Sequence, residues 1–230
     1  MGEEQGHVHE GSEHYCVSLV PIFNHLEKDQ MKKVMERVRS VPYKKGEIIY
    51  HAGDESDSLY IVNHGKIKIY RLSETGKEQM LRVLSPGDFT GELALFKEST
   101  HEAYAEALMD TKVCMIKRTD LQQFLLTYPT IALKILTEFS HRLDESETQT
   151  TRFATEKVET RLALFLAECA EDEDNPEFVL PMSKKDLASY LGTTPETISR
   201  KLTEFEEQGL IEQKPKRTIK ILDLDELLFI

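Results

Sequence analysis

Cysteine is scarce in this 230-residue chain. There are three, Cys16, Cys114 and Cys169, too few and too far apart for the disulfide framework of a secreted module. Long apolar runs are lacking, which excludes a membrane-spanning helix. The N-terminus is acidic and polar and has no features of a signal peptide, so a cytoplasmic location is expected. In that reducing compartment a disulfide would be a transient signal. Positive charge is also in deficit: 29 Lys and Arg stand against 41 Asp and Glu, a net charge of −12. So acidic a chain would repel DNA unless its cations were gathered on one surface. No nucleophile–base pairing and no Gly-rich phosphate loop stands out, so no enzymatic activity is expected.

One region reverses the sign. Between Ser183 and Lys220 eight Lys and Arg face six Asp and Glu. Its first part carries the local signals of two short helices. Ser183 can cap the first, with Asp186 three residues on, and Leu187, Ala188 and Leu191 give it a buried side. Gly192 ends it, because glycine takes positive φ at little cost. Thr194 can cap the second helix, Pro195 suits its first position, and Glu196 suits its positive end. Ile198, Leu202 and Phe205 then form one apolar face. Glu196, Ser199, Arg200 and Thr203 lie opposite. This is the pattern of a DNA-reading helix-turn-helix. The alternative is a helical hairpin with a solvated polar face. Ile211–Lys214 and Thr218–Leu222 read as strands around the basic turn Pro215-Lys216-Arg217, a wing. Lys216 and Arg217 at that turn, with Lys184 and Lys201 on the two helices, are the expected phosphate contacts.

The rest of the chain divides by texture. Residues 1–16 form a tail in which His7, His9, His14 and Cys16 fall close together. Imidazole and thiolate suit iron, zinc or copper, although incidental histidines in a polar tail would look the same. Val20–Val38 reads as a helix with Leu26, Met31, Val34, Met35 and Val38 inward. Residues 17–118 then hold six of the eleven glycines, at 46, 53, 65, 76, 87 and 91. Short strand-like pieces run between them. In one, Ile67 and Ile69 alternate with Lys66, Lys68 and Tyr70, the period of a half-buried strand. A β-sandwich or barrel is expected. Residues 119–153 are helical around a break at Pro129. Ala132, Leu136, Phe139, Leu143, Ser146, Thr150 and Phe153 make a heptad seam that needs a covering partner: the barrel itself or, the reading preferred here, the same helix of a second copy. Residues 154–230 open with a helix on Leu162, Phe165 and Leu166, pass an acidic loop at 171–177, and reach the helix pair and wing.

This order resembles the Crp/Fnr family of bacterial transcription regulators over about residues 17–225. Gly46-Glu47, Gly53-Asp54, Leu59-Tyr60 with Gly65, and Pro86-Gly87-Asp88-Phe89 with Gly91-Glu92-Leu93-Ala94-Leu95-Phe96 look like the family's barrel signature. Glu196-Thr197-Ile198-Ser199-Arg200 looks like the reading helix of its Fnr branch, and Arg161-Leu162-Ala163 resembles the segment before the DNA-binding domain. The fold implied is α+β: a cyclic-nucleotide-binding-like β-roll, a long dimerisation helix and a C-terminal winged helix-turn-helix. The resemblance further implies a homodimer on double-stranded DNA with RNA polymerase as a partner. It implies a TTGA-type palindrome read by Glu196, Ser199 and Arg200, with Thr194 and Thr197 beside them. Arg200 has the fork for guanine O6 and N7, and Glu196 can accept from a cytosine amino group.

For the signal, the resemblance is more restrictive. Cyclic-nucleotide members follow the Gly-Glu-Leu turn with an Arg-Ser or Arg-Thr pair that clamps the phosphate. Here Glu102 and Ala103 stand there, and no Arg occurs between Val83 and Lys117. A carboxylate in that place opposes a phosphate, so no tight binding of cyclic AMP is expected. Cys16 and Cys114 resemble two of the four cysteines of cluster-bearing Fnr proteins, too few for an all-cysteine cubane. What remains open is a Cys16–Cys114 disulfide, as in similar two-cysteine Fnr-like proteins; a metal ion or haem held by these cysteines and the tail histidines; or a Cys114 that merely fills the core. A small-molecule-binding barrel without specific DNA readout stays as the competing function.

Overall fold

The computed structural model describes residues 18, 20–92, 98–172 and 175–230. Two compact units divide the chain. The first comprises the described residues up to Arg71 with Arg82–Ser140; the second comprises Leu72–Leu81 with His141–Ile230.

The first unit contributes most of a β-roll, one strand of which has its residues 78–81 in the second unit. Its strands are β1 (Arg39–Tyr43), β2 (Ile48–Tyr50), β3 (Glu55–Ser56), β4 (Ser58–His64), β5 (Ile67–Leu72), β6 (Glu78–Leu84), β7 (Phe89–Thr90), β8 (Ser99–Thr100), β9 (Tyr104–Ala107) and β10 (Thr111–Lys117). They form two four-stranded sheets, ordered β1-β10-β4-β7 and β2-β9-β5-β6, and a small β3-β8 pair. Strand β4 shows why the roll holds. Tyr60 and Val62 pack inward with Ile67, Ile69 and Ala105 of the facing sheet. Leu59 and Ile61, on alternate positions, join a second core with Val20, Ile22, Phe23, Leu121, Ile131 and Ile135. Both faces of this sheet are therefore buried, and β4 reads as a continuous apolar run rather than an alternation. Gly91 answers a local need: at φ +84 a Cβ there would lie 2.3 Å from the Ser58 carbonyl oxygen.

Two expectations change here. The predicted helix over Val20–Val38 is confined to α1 (Lys28–Met35). Residues 21–25 are turns, and β1 starts at Arg39. A capping box explains the late start, since the Glu27 and Gln30 side chains each meet the other's backbone. The β5 alternation also fails on its outer side, because Lys68 and Tyr70 are buried too. Lys68 pairs with Glu106 at 3.3 Å, and Tyr70 stacks on Tyr104 at 5.2 Å between ring centres. A buried ammonium persists there because its charge is paired.

Helix α2 (Arg118–Thr127) and α3 (Thr130–Thr155) meet at Pro129, the expected break. Helix α3 has two apolar stripes. Ile131 and Ile135 are buried in the core beneath the sheet, with Phe139 packed against it. Leu133, Leu136 and Leu143 are 65%, 57% and 59% exposed.

In the second unit, α4 (Val158–Asp172) precedes β11 (Glu177–Val179), α5 (Lys184–Tyr190), α6 (Pro195–Glu207), β12 (Ile211–Lys214), β13 (Thr218–Ile221) and α7 (Leu224–Leu228). The three strands form a sheet ordered β11-β13-β12. Ile211 lies opposite Ile221 and Gln213 opposite Ile219. Strand β11, at the end of the predicted acidic loop, pairs Glu177 with Lys220 and Val179 with Thr218. Among the described residues no helix is long and apolar enough to cross a membrane.

Candidate nucleic-acid interface

Helices α5 and α6 begin where the sequence places their caps. The Ser183 hydroxyl accepts from the Asp186 N–H at 3.1 Å, and the Thr194 hydroxyl accepts from the Thr197 N–H at 3.3 Å. Each cap satisfies one of the orphan donors of a helix start, worth about 1 kcal/mol. Between the helices Gly192 adopts φ +69. Ile198, Leu202 and Phe205 are at most 2% exposed, so the inner face of α6 is sealed.

That seal fixes what points outward. Glu196, Arg200 and Thr203 are exposed and Ser199 is half-buried, along one side of α6. The Arg200 guanidinium has Glu204 at 3.7 Å, and its side chain is 67% exposed. Such an exposed pair contributes about 0–1 kcal/mol and is readily exchanged for another acceptor. Hydrogen bonds from its own backbone N–H and from the Thr194 side chain hold the Glu196 carboxyl below the usual carboxylate range. Its charge is secured at the positive end of the helix, ready to accept a hydrogen bond.

The four expected phosphate contacts differ in placement. Lys216 and Arg217 form the wing tip, both exposed and both left-handed, at φ 61 and 65. Left-handed backbone costs a non-glycine residue about 1–2 kcal/mol. Part of what holds it is the Leu180 N–H, which donates to the Arg217 carbonyl at 3.0 Å. Neither side chain has an ion pair among the described residues. Lys184 ties the first turn of α5 to the wing by donating to Gln213 Oε1 at 3.3 Å. Lys201 departs from the expectation. Its ammonium lies 2.6 Å from both Glu159 and Glu204, and its side chain is 20% exposed. Hydrogen bonds to those carboxylates, Glu159 first, raise its pKa. The lysine is thus engaged in joining α6 to α4, at odds with a phosphate contact. Counting residues along α6 could not reveal this, because Glu159 comes from 42 positions earlier.

On the sensor side, Cys114 is 1% exposed on β10, opposite Ser40 and Ile61, in the core that contains Val20 and Ile22. His7, His9, His14 and Cys16 lie outside the described residues. Among the described residues no three His, Cys, Asp or Glu side chains gather as a metal site. Glu102 is exposed and bonds the Arg71 guanidinium. Its charge is therefore offset by an arginine of β5, 31 positions earlier in the chain. Also unforeseen is an aromatic cluster within the roll. His101 stacks on Tyr50 at 3.7 Å and meets the edge of Tyr60 at 5.8 Å, and the Tyr50 hydroxyl bonds Thr90 at 2.8 Å. Burial holds the His101 pKa below the ordinary imidazole value and pushes the Tyr60 phenol up to about 12.

Comparison with known proteins follows the same division. Residues 40–128 match the cyclic nucleotide-binding domain, and residues 160–230 match the Crp-like helix-turn-helix domain. The chain is 35% identical to the probable transcriptional regulator flp of Lacticaseibacillus casei, over 93% of its own length and 97% of that protein's. The chain belongs to the Crp/Fnr family of transcription regulators. Another Crp/Fnr relative, the fumarate and nitrate reduction regulatory protein of Vibrio cholerae, is 33% identical over 89% of this chain and 82% of its own. Of solved structures, FixK2 from Bradyrhizobium japonicum is similar with a TM-score of 0.74 at 28% identity, covering 83% of this chain and 95% of that one. A CooA mutant from Carboxydothermus hydrogenoformans shares the fold, with a TM-score of 0.74 at 23% identity, covering 91% and 93%. The chain is thus a DNA-binding transcription regulator with a Crp-like helix-turn-helix domain.

Proposed function

We propose that the protein binds as a homodimer to a TTGA…TCAA palindrome and regulates transcription with RNA polymerase. In this reading Glu196, Ser199 and Arg200 contact base edges, Thr194 and Thr197 flank them, and Lys184, Lys216 and Arg217 hold phosphates. The observation that carries it is the outward row on α6 above a fully sealed inner face. The exposed leucines of α3 support the dimer: Leu136 and Leu143 lie one heptad apart and point away from the core that takes Ile131 and Ile135. Two heads then meet two half-sites about one helical turn apart. The test is binding to the palindrome and to duplexes changed one base pair at a time. Equal binding to all of them would overturn the base-reading assignment.

The same reading gates the regulator by redox state or metal rather than by cyclic AMP. Its thiol form is a Cys16–Cys114 disulfide, formed as two thiols lose two protons and two electrons to an oxidant. Support comes from the core that Cys114 shares with Val20. Val20 is four positions from Cys16, a reach of at most about 14 Å. Relatives named as anaerobic and fumarate and nitrate regulators agree with a redox signal. Cys16→Ser and Cys114→Ser proteins, assayed on the palindrome with and without oxidant, test it. Loss of the oxidant response in both is expected; an unchanged response excludes the disulfide. Metal analysis of anaerobically purified protein tests the metal form. Calorimetry is expected to find no micromolar affinity for cyclic AMP, because Arg71 is engaged by the carboxylate of Glu102.

A further inference from the structure

Residues Leu72–Leu81 group with the C-terminal unit, and a single serine shows how. Ser189, in the last turn of α5, donates its hydroxyl to the Glu78 carbonyl at 3.0 Å and accepts from the Met80 N–H at 2.8 Å. In return the Gln79 amide donates to the Ser189 carbonyl at 2.8 Å.

Each partner satisfies a group that its own element leaves open. Strand β6 is the outer member of its sheet, so among the described residues one edge of its backbone has no strand beside it. The serine hydroxyl stands in for that neighbour, acting as both donor and acceptor. Helix α5 ends at Tyr190, so the Ser189 carbonyl is among the last four, which lack an intrahelical donor. Gln79 supplies one. The contact is closed further by Gly192, where a Cβ would come 3.1 Å from the Phe153 ring and 3.9 Å from Gln79 Oε1. Met80 is fully buried, so water does not readily replace these bonds.

We propose that this contact is a latch whose closure is linked to DNA binding. Two facts argue for it. Strand β6 is divided between the two units, between Leu81 and Arg82, so any shift along it reaches residues 78–80 through continuous backbone. Helix α5 precedes the reading helix by a short turn, so hydrogen bonds on Ser189 bear on the element that sets the pose of α6. Linkage is reciprocal: if the closed and open latch differ in DNA affinity, DNA shifts the latch by the same factor. The proposal rests on the DNA-binding reading above.

The test uses the full chain and the palindromic duplex. Hydrogen exchange at the Met80 amide is measured with and without saturating DNA, and affinity is measured for wild type, Ser189→Ala, Gln79→Ala and Ser189→Thr. Saturating DNA is expected to change Met80 exchange, and Ser189→Ala to shift affinity by about threefold or more, in the direction the exchange dictates. If DNA speeds exchange, the alanine binds tighter; if DNA slows it, the alanine binds more weakly. Gln79→Ala should follow the alanine, and Ser189→Thr, which keeps the hydroxyl, should behave as wild type. Met80 exchange indifferent to DNA, or a folded Ser189→Ala protein binding as wild type, overturns the latch. Failure of the wild type to bind any palindrome overturns the DNA reading, and the latch with it.

Discussion

The reading head and the β-roll carry their chemistry in opposite ways. On α6 the polar side chains Glu196 and Arg200 are exposed, above Ile198, Leu202 and Phe205 that are wholly buried. In the roll a cluster of phenol, imidazole and thiol groups is inside: Tyr50, Tyr60, His101 and Cys114 are at most 7% exposed. A surface row suits recognition of a large, rigid partner, because the partner supplies the missing contacts. Buried groups suit a sensor, because any change of charge or bonding there must be absorbed by packing, and close-packed interiors respond in steps rather than smoothly. The same contrast runs along α3, where Ile131 and Ile135 are buried in the chain's own core and Leu136 and Leu143 face outward.

The strongest challenge to that contrast is at the exposed leucines. Leu136→Asp with Leu143→Asp should leave the melting temperature of the isolated chain nearly unchanged, since both sites are solvated. Sedimentation should nevertheless give a monomer, and affinity for the palindrome should fall by about a hundredfold or more as the second head is lost. A dimer surviving both changes would move the interface elsewhere. In the sealed face, Leu202→Ala should destabilise the head by about 2–5 kcal/mol in thermal unfolding. On the open face, Arg200→Ala should cost about 1–3 kcal/mol per half-site and relax preference at one base pair, with stability untouched. A loss spread equally over all sequences would make Arg200 a phosphate contact. Lys216→Ala should weaken every duplex alike and reduce the salt slope by about one. Lys201→Ala should act mainly on stability, because its charge is held by Glu159 and Glu204.

The smallest effect belongs to His101. Burial lowers its folded pKa below the ordinary 6.5, against the pull of Asp54, Asp57 and Glu92. Between the two values the unfolded chain binds more protons, so stability is full above 6.5 and declines as pH falls through the folded value. Replacing His101 by Phe should flatten that decline; an unaltered pH profile would exclude His101 as its source.

The reading head was legible because its signals are local. Ser183, Gly192, Thr194 and Pro195 set helix ends within three or four residues, and Ile198, Leu202 and Phe205 set the buried face by period. The wing followed from Pro215 and the strand-like residues on either side. The roll was legible as a texture of glycines and short strands, but not in its pairings: β3, β7 and β8, of two residues each, are too short for periodicity to mark them. Predicted outward positions on β5 failed because Glu106 and Tyr104 cover Lys68 and Tyr70 from a neighbouring strand.

By itself, then, the sequence determined which segments turn, cap and present a polar face, since those choices depend on backbone sterics and hydrogen bonds between near neighbours. Tertiary structure alone decided which partners meet: Lys201 with Glu159, Arg71 with Glu102, His101 with Tyr50, Ser189 with Met80. These pairs lie 31 to 109 positions apart in the chain. Their meeting depends on sheet order and core packing, which no local pattern encodes.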